Sequence, residues 1–363
     1  MNKSIFNGLR RLAKGALTAT AAIAAIAMLS GCRHKDLCYH HPHGHDILIK
    51  FDWRDAPDAT AEGMAVFFYP LDAGSRVGDQ DALPYAPVYR VDLGVDGGYL
   101  RSVPPGKYRV ITYNNDTEGV LFGNLDDFDT HHGYTREGSP LEPLYGNTSG
   151  RNIPTASGAE SQRIVITPDM MWGYSTVDVE VTDYGISYIC VPESEKDQYI
   201  GTPVMDKNFV ITLYPHELTC IYTYEIRNIK NLEYAIQHSA TLTGMAPELQ
   251  FGDEALHEEP VIIPFDAYSD GVSTITGRFY TWGHHPESEV PHKFVLYIWM
   301  QNEAKGWYYT WDVTEQIHKA PNKRRVHLIL DNLELPTPIE PGGDGGFEPS
   351  IDDWVDVNTD IQM

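Results

Sequence analysis

The feature that most limits what this chain can become is a succession of short apolar or alternating runs, each cut off by proline or glycine. Gly63-Met64-Ala65-Val66-Phe67-Phe68-Tyr69-Pro70 is apolar almost throughout and stopped by its proline, as a buried strand would be. Pro104-Pro105-Gly106-Lys107 makes a turn into Tyr108 to Asn115, where Tyr108, Val110 and Thr112 fall on one face and Arg109, Ile111 and Tyr113 on the other. Such a turn fixes the register of the strand that follows it. Ile47, Ile49 and Phe51 alternate with Leu48, Lys50 and Asp52, and Val177, Val179 and Val181 alternate with Asp178, Glu180 and Thr182. The latter spacing predicts an amphipathic strand with one wet face.

The series continues with runs at 89–93, 98–103, 162–168, 209–215, 220–229, 261–264, 273–282, 293–301, 307–313 and 325–330. Leu232 to Thr241 is the one helix-like stretch. Strands of this length and spacing indicate an all-β fold of two tandem β-sandwich domains. A polar connection at Tyr184–Thr202 places them at residues 47–183 and 184–335. Residues 336–363 form a Pro/Gly linker followed by an acidic, strand-like tail. Ile351, Trp354, Val355, Val357 and Ile361 are apolar residues set among that tail's acidic ones. Such a tail can fold back on its own sheet or add to the edge of another molecule's.

The first 31 residues are of another kind. Lys3, Arg10, Arg11 and Lys14 precede a short alanine-rich apolar run from Leu17 to Leu29, which is a secretory leader and too short to span a membrane. Leu29-Ser30-Gly31-Cys32 resembles the bacterial lipobox, which implies cleavage before Cys32, acylation of that residue and retention on a membrane; an ordinary signal peptide with a chance cysteine is the alternative. The formal charge of −24 argues against nucleic acid and against adhesion to anionic lipid, so acyl chains would have to hold the protein without a basic patch.

Residues 32–46 read as a tether with His40, His41, His43 and His45 around Pro42 and Gly44. Imidazoles are common metal ligands, but the loop lacks a partner at fixed helical spacing, so no metal site is assigned. Asp126, Asp127 and Asp129 lack the distal glutamate of a calcium loop and read as solvated. Of the four cysteines, Cys190 and Cys220 could bridge in an oxidising compartment. A hydrolase elbow, a zinc-protease helix, a phosphate loop and a dinucleotide fingerprint are all missing. His284-His285 with scattered carboxylates is a combination any acidic chain offers. The sequence therefore predicts no enzyme and no cofactor. Trp307, Tyr308, Tyr309 and Trp311 offer one further possibility, an aromatic platform for sugars, set against the alternative that they are core.

Several of these segments carry a resemblance. LSGC at 29–32, LCYHHPHGHDILIKFDW at 37–53, VPPGKYRVITYNND at 103–116, ATLTGMAPEL at 240–249, the run from Phe294 to Pro321 and the tail GGFEPSIDDWVDVNTDIQM resemble fimbrillin-like lipoproteins of Gram-negative anaerobes. Within that group they are most like an uncharacterised lipobox family with two fimbrillin-type (transthyretin-like) sandwiches. The resemblance implies a lipid-anchored outer-membrane protein at the cell surface, related to fimbrial anchor or stalk subunits that assemble by strand exchange. No convincing arginine-specific protease site lies between the domains, which favours an anchor or accessory role in fimbria-like assembly or adhesion. The expected partners are the membrane, through acylated Cys32, and other fimbrillin-like proteins, through strand pairing by Ile351, Trp354, Val355, Val357 and Ile361. A glycan-binding surface lipoprotein using Trp307, Tyr308, Tyr309 and Trp311 is the alternative function.

Overall fold

Alternating strands joined by tight turns close into sandwiches when one face of each sheet is apolar, and the first half of the chain does this. A computed structural model describes residues 44–71, 88–146, 152–198, 201–301, 305–337 and 354–357. Strand β1 (His45–Phe51) pairs antiparallel with β4 (Gly98–Val103) and parallel with β12 (Val210–Leu213). Facing them is a sheet in the order β11 (Val204–Asp206), β10 (Gly185–Tyr188), β9 (Trp172–Thr182), β5 (Gly106–Asn114), β2 (Gly63–Pro70) and β3 (Tyr89–Gly94). The short β13 (His216–Glu217) also pairs with β9. Ile47, Ile49, Val66, Phe68, Val110 and Ile211 meet in the core between the two sheets.

Burial on both faces explains why β2 is apolar throughout. Ala65, Phe67 and Tyr69, with Ile111 and Tyr113 of β5, point away from that core into a second one with Leu249, Phe251 and Trp282. A three-stranded sheet runs alongside, with β7 (His132–Thr135) between β6 (Val120–Gly123) and β16 (Glu248–Gln250). Residues from both halves of the sequence thus share one core.

The second sandwich stacks a sheet of β18 (Tyr268–Ser269), β19 (Ile275–Thr281), β14 (Cys220–Arg227) and β22 (Arg325–Asp331) on a larger one. The larger sheet has the order β23 (Trp354–Val357), β21 (Gly306–Asp312), β20 (Lys293–Met300), β15 (Ala235–Met245), β17 (Val261–Asp266) and β8 (Arg163–Ile164). Tyr222, Tyr224, Phe265, Phe279, Phe294 and Leu296 fill the space between. The outer face of the larger sheet is covered as well: Leu141, Ala156 and Ala159 pack on Ile262, Val295, Tyr297 and Trp299.

Several expectations are revised. The sheets do not divide at residue 184, because β12 returns to pair with β1 and β8 adds to β17 in the second sandwich. The polar stretch after Tyr184 instead includes β10 and leads on to β11, its neighbour in the same sheet, with a 3-10 turn at Glu193–Gln198 on the way. Leu232–Thr241 is not helical beyond the turn Leu232–Tyr234; it becomes β15, held between β17 and β20. The clean alternation of β9 breaks at Val177, which is 50% exposed beside exposed Asp178 while Val179 and Val181 are buried. The β5–β9 register shifts there, so an extra residue turns Val177 outward. His45 belongs to β1 and not to a loop, its ring stacked on Phe209 at 4.2 Å. Cys190 and Cys220 are separate free thiols, pushed up to about 12 and about 11, in each case first by burial. Asp126, Asp127 and Asp129 are exposed, and Asp129 pairs with Arg109.

Candidate functional site

Three of the residues singled out for partner pairing, Trp354, Val355 and Val357, lie at one edge of the second sandwich. Strand β21 pairs with β20 on one side, and on the other with β23 in parallel register, Gly306 opposite Trp354 and Tyr309 opposite Val357. The tail therefore folds back onto its own sheet over 354–357. Ile351 and Ile361 lie outside the described residues, as do Cys32, His40, His41 and His43.

One side chain seats the strand. Trp354 stands edge-to-face against Trp299 at 4.9 Å, Tyr297 at 5.4 Å and Tyr308 at 6.4 Å. The room for its indole comes from Gly306, where an added Cβ would meet the Trp354 ring at 2.6 Å. The Tyr308 hydroxyl is hydrogen-bonded to Asp356 of β23; burial, and then that carboxylate, push it up to about 12. The seat was missed at the sequence level. Its one local signal is the run from Phe294 to Met300, buried at every position, which announces a strand covered on both faces.

Gly306→Val is expected to unseat the strand while leaving the sandwiches intact, because the atoms nearest an added Cβ all belong to the Trp354 ring. Hydrogen exchange at 354–357 should quicken about tenfold or more, as overpacking of about 1–3 kcal/mol would require. Unchanged exchange would mean that Trp354 is not what holds β23.

The aromatic platform for sugars is not formed. Successive residues of a strand point to opposite faces, so Tyr309 and Trp311 lie 1% and 2% exposed in the core, with half-buried Trp307 packed against the same cluster. Tyr308 alone faces the other way, under Trp354. These residues are core and strand seat.

Residues 31–266 match the family model described as a domain of unknown function, DUF5119. The chain belongs to the DUF5119 family. This agrees with the resemblance to an uncharacterised fimbrillin-like family. A Bacteroides ovatus protein assigned as the fimbrium anchoring subunit Fim4B is 31% identical to this DUF5119 protein over 150 residues. The aligned stretch is 41% of this chain, and it spans little more than a third of that relative, 37%. The solved structure of a B. ovatus protein assigned as an adhesin superposes with a TM-score of 0.55 at 20% identity, covering 86% of this chain and 99% of the other. That likeness is one of fold. The fimbrial anchor protein Mfa2 of Porphyromonas gingivalis superposes with a TM-score of 0.43 at 12% identity, covering 78% of this chain and 90% of Mfa2.

Proposed function

We propose that this DUF5119 protein is a non-catalytic, lipid-anchored protein of the outer membrane that serves as an anchor or accessory subunit in a fimbria-like assembly at the cell surface. The supporting observation is the edge of β21: a strand of four described residues covers it, held by one tryptophan over a glycine. A pairing at a sheet edge can be exchanged for a strand from another molecule, since an uncovered edge presents unpaired backbone groups. The partial relationship to a protein assigned as a fimbrium anchoring subunit points the same way. In this reading acylated Cys32 holds the chain to the membrane, the sandwiches form a rigid stalk, Trp354–Val357 leaves β21, and the segment from Ile351 to Ile361 pairs with a neighbouring fimbrillin-like subunit.

The test is a crosslinked pull-down from native outer membranes, comparing the full chain with one lacking Pro336–Met363. A ladder of other β-sandwich lipoproteins with the full chain, lost on deletion while both sandwiches remain folded, is the expected result. Recovery of the protein alone in both cases would sink the assembly role.

A further inference from the structure

Three histidines far apart in the sequence come together at one end of the second sandwich. His284 follows β19, His292 immediately precedes β20, and His318 ends the short helix Thr314–His318 that follows β21. Their ring centroids are 5.0 to 5.2 Å apart, and one nitrogen of each lies within 4.8 Å of the others. We propose that His284, His292 and His318 form a binding site for a divalent transition ion of the zinc class.

His292 is the residue that argues most for a ligand. It is fully buried, and its Nδ1–H donates to the Thr243 carbonyl at 3.1 Å. That bond leaves the lone pair on Nε2, which is buried with no hydrogen-bond partner. A buried nitrogen without a partner is costly, and a ring whose other nitrogen is tied to a backbone carbonyl is the usual arrangement of a metal-ligating histidine. Gly244 makes room for the ring: a Cβ there would meet His292 Nδ1 at 2.7 Å. The backbone joins the ligands too, since the His292 N–H donates to Thr314 Oγ1 at 2.8 Å and the His292 carbonyl accepts from Val313 at 2.9 Å, just ahead of the helix bearing His318.

Chemistry and charge fix the class of ion. Three imidazoles and no carboxylate suit zinc, copper or nickel and not calcium or magnesium. Burial first, then the neighbouring histidines and Lys323, hold His284 down to about 4, and burial, against the Thr243 hydrogen bond, lowers His292. Of the nearby cations, Lys323 donates to the Ile317 and His318 carbonyls, and Arg324 pairs with Glu254 at 2.7 Å. Tetrahedral coordination with bonds of about 2.0–2.1 Å sets donors about 3.3 Å apart, so each nitrogen closes in by about 1 Å. The fourth position would open on a cleft of about 490 Å³ lined by Trp282, Pro286, Lys323 and Glu254.

The test is calorimetric titration of the full chain with zinc, in a background where His40, His41 and His43 are alanine so that the tether does not compete. One equivalent of zinc is expected to bind, and cobalt in its place should give the visible band of a tetrahedral centre. His318→Ala removes an exposed ring at little cost to folding and should weaken zinc binding by about tenfold or more and abolish the cobalt band. His284→Ala, with its fold verified by circular dichroism, should do the same. Zinc uptake unchanged in His318→Ala, or none in the background chain, overturns the proposal.

Discussion

Replacing Trp299 with alanine should lower the stability of the fold by about 3–5 kcal/mol. Trp299 is 0% exposed, near the end of a strand covered on both faces. Its indole meets Trp354 at 4.9 Å and Tyr145 at 6.1 Å, on the side where Leu141, Ala156 and Ala159 cross the sheet. Truncation removes a large buried side chain and leaves a hole that three separate segments border, so relaxation can close only part of it. The midpoint of thermal unfolding should fall by about 10 °C, while Tyr268→Ala, at a 60% exposed position, should stay within about 0.5 kcal/mol of the parent. Denaturant unfolding of both variants measures this. A loss below about 1 kcal/mol for Trp299→Ala would mean that the crossing segment is not packed on the sheet.

Acid should weaken the shared core through His131. That ring is fully buried, 2.5 Å from the Tyr69 hydroxyl at Nδ1 and 3.0 Å from the Tyr113 hydroxyl at Nε2. Phe67, Tyr113 and Phe251 surround it edge-to-face at 5.0 to 5.4 Å. A neutral imidazole donates from one nitrogen and accepts at the other, so one hydroxyl accepts from the ring and the other donates to it; protonation makes both nitrogens donors and takes away that second hydroxyl's acceptor. Burial first, and then His132 and Arg90, hold it down to about 4. The unfolded chain takes up the proton near pH 6.5, whereas the folded one refuses it until about pH 4. Stability is therefore full above about pH 6.5 and declines as pH falls through that window, by about 3 kcal/mol at its lower end. Glu254 acts lower: interaction with His216 and then Arg324 outweighs its burial and holds it at about 2. His284 and His292 share the sign of His131, so the informative quantity is a difference. Stability of the parent minus that of His131→Gln should be flat above pH 6.5 and slope downward below it. Parallel pH curves for the two proteins would refute the assignment.

Where residues interact with their sequence neighbours, the strands could be read directly. Gly98–Val103 is a strand over the very residues expected, and the Pro-Pro-Gly turn leads into β5 as predicted. Both depend on side-chain alternation and on the backbone limits of proline and glycine. Val177 shows how far that reaches. Its place in the alternation is right, but one extra residue opposite β5 turns it to solvent. Leu232–Thr241 shows the opposite failure: a stretch with helical leanings became the centre of a sheet because two neighbouring strands offered it a complete hydrogen-bond ladder.

The sites follow the same division. Trp354 stood out as an apolar residue in an acidic tail, yet its seat is made of Gly306, Trp299 and Tyr297, which no spacing rule connects to it. His284 was visible only as half of a dipeptide, whereas His292 and His318 reach it from either end of the β20–β21 hairpin. By itself the sequence determined the all-β class and most of the strands, because alternation and turn chemistry are local properties. Only the tertiary structure decided which strands are covered on both faces, that β12 and β8 cross between the halves, and which aromatic and histidine side chains meet. Those outcomes depend on long-range pairing, where burial of whole faces outweighs the preferences of any one segment.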